Sequence, residues 1–98
     1  METLYTILIN LKKEKEIVNI GHFRVGNDAA LASSIFRKMK GTDRVNEKSI
    51  LYMELVETRD GLPFNLQMLG CTLEEMAGNC RLITKEIFKY HNLEESEK

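Results

Sequence analysis

The chain has 98 residues, of which 43% are apolar and 30% charged, with a formal net charge of −1. That is enough for one folded core and too little for two, and the composition is far from that of a disordered or collagen-like chain. Two cysteines are too few for a disulfide scaffold, and no apolar run approaches the roughly 18–20 residues that span a bilayer.

Residues 3–12 (TLYTILINLK) are rich in β-branched and aromatic types, and the charged run Lys12-Lys13-Glu14-Lys15-Glu16 after them reads as a hairpin tip. Residues 17–25 (IVNIGHFRV) make a second strand, with Gly21 placed as a bulge or close-approach residue. From Asp28 the apolar spacing becomes helical through Ala29, Ala30, Leu31, Ala32, Ile35, Phe36 and Met39, with Asp28 as N-cap and Gly41 as the stop. A helix over about 29–40 follows.

Residues 42–48 form a polar connection, and 49–58 (SILYMELVET) return to a β-prone pattern. Asp60-Gly61 supplies the positive φ angles of a tight turn, and 64–69 complete a second hairpin. Thr72-Leu73-Glu74-Glu75 is a complete capping box, with Cys71 and Met76 standing where a hydrophobic staple would. The helix behind it runs on Leu73, Met76, Ala77, Cys80, Ile83, Ile87 and His91, and the acidic residues 94–98 are expected to fray.

The two halves, about 3–41 and 49–91, match in order and in a few letters: Leu4-Tyr5 with Leu51-Tyr52, Val25-Gly26 with Leu69-Gly70, Asp28 with Thr72, Arg37 with Arg81. The expected fold is therefore α+β: a duplicated ββα unit closing into a four-stranded, mainly antiparallel sheet with two helices on one face.

Residues that could carry chemistry are few. Cys71 precedes a helix N-terminus, where amide dipoles can lower a thiol pKa, so it is the one candidate nucleophile; a buried staple residue is the simpler account. Glycines stand before both helices, in Gly26-Asn27 and Gly70-Cys71, where backbone amides could hold a small anion, although neither junction matches a phosphate-loop pattern. His22 and Arg24 share one side of a strand as a small basic patch. No cysteine–histidine spacing fits a metal, no cofactor motif is present, and no carboxylate pair is set apart as acid and base.

Charge excludes a strong polyanion partner. Residues 1–49 hold nine Lys/Arg against six Asp/Glu (+3), residues 50–98 hold five against nine (−4), and a phosphate-backbone binder shows a far stronger basic stripe. Without a signal-like start the default compartment is the cytoplasm. Strands one and three are apolar on both sides, so the side away from the helices needs a cover. The expected cover is a second copy, with Tyr5, Ile7, Ile9, Tyr52 and Val56 in a homodimer interface. The functional expectation is a small non-enzymatic, homo-oligomeric module that binds a protein partner or small ligand in a regulatory or accessory role. The alternative is a small cytosolic enzyme using the Cys71 thiol.

Overall fold

The computed structural model describes residues 2–43 and 50–91, so most of the polar connection at 42–48, Ser49 and the acidic tail lie outside the described residues. The chain follows the order β1 (Thr3–Lys13), β2 (Glu16–Gly26), α1 (Ala29–Lys38), β3 (Leu51–Arg59), β4 (Leu62–Cys71), α2 (Leu73–His91). Four strands form one antiparallel sheet in the order β2-β1-β3-β4, giving an α+β architecture with β1 and β3 at the centre.

Local chemistry accounts for the hairpins. Lys13 pairs with Glu16 across the two-residue loop Glu14-Lys15, and Arg59 pairs with Leu62 across Asp60-Gly61. Asp60 (φ 50°) and Gly61 (φ 86°) both take the positive φ of a turn whose twist matches that of its strands. Pairing with β3 carries β4 through Pro63 at its start and on to Cys71, longer at both ends than the 64–69 expected. Gly21 pairs with Ile9 and Asn19 with Asn10, which leaves Ile20 as the extra residue of a bulge.

Both helices start on side-chain caps. Asp28 accepts from the Leu31 amide at 3.1 Å. In the capping box the Glu75 amide donates to Thr72 Oγ1 at 3.1 Å and the Thr72 amide to Glu75 Oε1 at 2.9 Å. Helix α1 stops at Lys38, two residues short of the expected end, because Met39 turns extended as the C-cap. Gly41 then passes so close to β4 that a Cβ there would lie 2.5 Å from the Gly70 carbonyl oxygen, and Thr42 and Gly70 bridge.

Buried residues of both helices, Ala32, Ile35, Phe36, Met76 and Ile83, with the C-cap Met39, join one cluster with Tyr5, Ile7, Val25, Met53 and Leu55. In α2 the inward stripe is Met76, Asn79 and Ile83, whereas Leu73 and Ala77, expected inward, are exposed. The helices lie side by side and antiparallel. Tyr90 Oη donates to Asp28 Oδ2 at 3.2 Å, Lys38 Nζ meets Glu86 Oε1 at 2.7 Å, and Asn79 grips both main-chain groups of Lys40 at 2.8 Å.

Paired residues of neighbouring strands share a side of the sheet. Ile7 pairs with Leu55 and Tyr5 with Glu57 on the side of the core, while Tyr52 pairs with Asn10 and Val56 with Thr6 on the opposite side. The expected match of Tyr5 with Tyr52 is therefore one residue out of register, and the two tyrosines face opposite ways.

Candidate interaction surface

The β4–α2 junction holds Cys71 at the end of its strand, half-buried. Its Sγ lies 3.6 Å from the Leu69 carbonyl oxygen and 3.7 Å from that of Lys40, and the Asn79 side-chain amide donates to it at 3.5 Å. Burial is the main cause that pushes this thiol up to about 11, Glu75 adds to the rise, and the Asn79 donor offsets part of it. Helix-dipole activation fails here for two reasons. The first-turn carboxylate of Glu75 sits where it opposes a thiolate, and the sulfur is turned into the protein. Cys80 is likewise raised by burial. Asn79 was not singled out in the sequence, and its only signal is a position three after Met76 and four before Ile83 on the inward stripe.

The six candidate ligand residues do not converge. Gly26 and Asn27 lie at the end of β2 near Tyr5, whereas Gly70 and Cys71 lie at the end of β4 near Leu51. Those are opposite edges of the sheet, and also opposite ends, because Tyr5 pairs with Glu57 while Leu51 pairs with Leu11. His22 and Arg24 pair with Leu8 and Thr6 on the side away from the core, exposed on edge strand β2. Among the described residues no group of three or more His, Cys, Asp or Glu is placed to hold a metal ion.

The side of the sheet away from the core is not the apolar plate the sequence suggests. A ladder of polar side chains crosses all four strands: Asn19 Nδ2 donates to Asn10 Oδ1 at 3.1 Å, Asn10 Nδ2 to Glu54 Oε1 at 2.6 Å, and Asn65 Nδ2 to Glu54 Oε2. The large residues beside it have little surface to give, Tyr52 being 3% and Val56 8% exposed. The expected interface set is thus divided. Tyr5, Ile7 and Ile9 pack in or against the core, and Tyr52 and Val56 are already covered on the other side.

Six of the large exposed apolar residues lie on the two edge strands, while Leu73, Phe88 and Tyr90 are exposed on α2 and Ile50 just before β3. The N-terminal half of β2 presents Ile17 (64% exposed), Val18 (37%) and Ile20 (55%), and that of β4 presents Leu62 (64%), Phe64 (44%) and Leu66 (46%). The topology explains the placement. Helix α1 starts beyond the end of β2 and α2 beyond the end of β4, so the antiparallel helix pair runs along one diagonal of the sheet and leaves bare the corners holding the two hairpin tips. No protein-family model, curated protein or solved structure matches the chain. Function has to be argued from these surfaces alone. None of the described helices is long and apolar enough to cross a membrane.

Proposed function

We infer that this chain is a small, non-enzymatic, self-associating module in an accessory or regulatory role, and that its contact surfaces are the two edges of its sheet. The observation that carries this reading is the row of large apolar side chains on each edge strand, in a domain whose central strands are otherwise covered. An edge strand offers unpaired backbone donors and acceptors, and apolar side chains beside them favour pairing with another chain. The high pKa of the half-buried Cys71 thiol argues against a nucleophilic enzyme.

The same reading takes the domain as a duplicated ββα unit with its helices sharing one side. The two-residue loops, each opening on a residue with positive φ (Glu14 at 55°, Asp60 at 50°), make the natural anchor for aligning the halves. Alignment on those loops equates Tyr5 with Leu51 and Ile7 with Met53, all directed to the core side. Light scattering across a range up to high micromolar concentration tests the association. The weight-average mass is expected to rise with concentration, and the mass of a single chain throughout would overturn the proposal.

A further inference from the structure

We propose that copies of this chain associate head to tail, the β2 edge of one pairing antiparallel with the β4 edge of the next. This rests on self-association through the edges and adds which edge meets which.

Charge selects the partner edge. The first hairpin, residues 3–26, carries Lys12, Lys13, Lys15 and Arg24 against Glu14 and Glu16, a net +2. The second, residues 51–71, carries Arg59 against Glu54, Glu57 and Asp60, a net −2. Antiparallel pairing of β2 with a neighbour's β4 sets the first tip, where Lys12, Lys13 and Lys15 outnumber Glu14 and Glu16, beside the start of the neighbour's α2, with Glu74 and Glu75. It also sets the neighbour's Asp60 tip beside Arg24. Pairing like with like does the opposite. Two β4 edges would join hairpins of net −2 and two β2 edges hairpins of net +2, so both two-fold arrangements set like net charges side by side.

The apolar surface fits the same arrangement. Each edge strand is bare in its N-terminal half and flanked by a helix near its C-terminal end. Antiparallel pairing sets the bare half of one strand beside the flanked half of the other. Val18 and Ile20 come to lie by the neighbour's α2, and the neighbour's Phe64 and Leu66 by α1. Pro63 has no N–H to give and Leu66 is the extra residue of a bulge, so the ladder would run from Phe64 onward with a break at Leu66. A strand edge of ten residues is roughly 33 Å long, and one sheet layer ~10 Å deep gives about 330 Å² per partner before any helix contact. Even with that contact, one junction falls at the low end of specific interfaces, so association is concentration-dependent and weakened by salt. A head-to-tail contact repeats, giving a ring or an open chain in place of a closed dimer.

Two half-blocked variants test the arrangement. Ile20→Lys places a charge on the β2 edge and Leu66→Lys on the β4 edge, both at exposed positions, with thermal melts confirming that each variant folds. Each alone is expected to lose association and scatter as a single chain. Mixed, they are expected to form a species of two chains and no more, because only one competent edge of each kind remains. If Leu66→Lys still associates alone while Ile20→Lys does not, or if the mixture stays monomeric, head-to-tail pairing is wrong although wild-type association stands. A wild type that is itself a single chain at every concentration removes both proposals. Should either variant fail to fold, Lys13→Glu with Lys15→Glu in one chain and Glu74→Lys in another repeat the design at exposed charged positions: each is expected to lose association alone and to recover it on mixing.

Discussion

At the scale of single residues, Cys71 and Asn79 show how a neighbourhood decides what a side chain can do. A free thiol ahead of a capping box resembles an activated cysteine in one dimension. In three dimensions its sulfur faces two carbonyls and an amide in a half-buried niche, with Glu75 close by. The thiolate fraction at neutral pH should be about a hundredfold smaller than for an ordinary cysteine, since each pKa unit is a tenfold change and Cys71 stands about two above its reference. Iodoacetamide should therefore modify Cys71 slowly near pH 7, with a rate still rising steeply above pH 10. A rate that levels off near pH 8 would show that the niche opens in solution. Asn79 does the reverse of what its polarity suggests. It is buried because its amide satisfies the Lys40 main chain just after α1, where the helix has run out of internal partners.

At the scale of elements, the caps and most of the helices' inward residues were legible, whereas the register of the strands and part of the α2 stripe were not. Thr72 and Glu75 form the reciprocal pair that their spacing implies, and Asp28 caps α1 as its position suggests. Replacing Thr72 with Ala should cost about 0.5–2 kcal/mol of stability through loss of one capped amide. Thermal or urea melts read it, and curves superposing on wild type would mean that neighbouring contacts already hold the first turn. Helical spacing put Leu73 and Ala77 inward, but α2 leans on the sheet through Met76, Asn79 and Ile83, a stripe interrupted by a polar residue that no hydropathy pattern selects. Strand parity misled in a similar way. Apolar residues on both sides of β1 and β3 suggested one exposed plate, yet register places Tyr5 and Ile7 inward, and on the other side Asn10 and Glu54 join a cross-strand ladder among covered neighbours. Long-range pairing fixes register, and it leaves no local trace beyond the loop lengths. The bare edges were hidden for the same reason, because which half of β2 or β4 lies outside the helix pair depends on how the helices cross the sheet.

At the scale of the whole molecule, the two hairpin–helix halves are joined through the β1–β3 ladder, the helix pair and a set of polar side-chain contacts between them. Tyr5 Oη donates to Glu57 Oε2 at 2.6 Å across the central strands and Lys38 meets Glu86 between the helices, while within β3 Arg59 donates to Glu57 Oε1 at 2.8 Å. The tyrosine hydrogen bond, with Arg59 alongside, holds the Glu57 carboxyl below its usual range, and the Lys38 bond does the same for Glu86. Both carboxylates thus stabilise the fold fully above their unfolded pKa, and that contribution is lost as pH falls through the lower folded values. Tyr5 has the opposite sign. Its hydrogen bond to Glu57 raises its pKa, with burial adding to the rise, so its contribution is complete below the ordinary tyrosine value and is lost as pH climbs through the raised one. A single contact between the halves should therefore weaken at both extremes of pH. Melting temperature against pH is expected to show a plateau with an acid and an alkaline descent. Tyr5→Phe should lower the plateau, make the alkaline limb shallower by removing one of its ionising groups while Tyr52 and Tyr90, also raised, keep theirs, and soften the acid limb, because Glu57 keeps only Arg59. Glu57→Gln should soften the acid limb and leave the alkaline one to an uncharged acceptor. Profiles for both variants that parallel the wild type at every pH would show that this contact does not couple the halves.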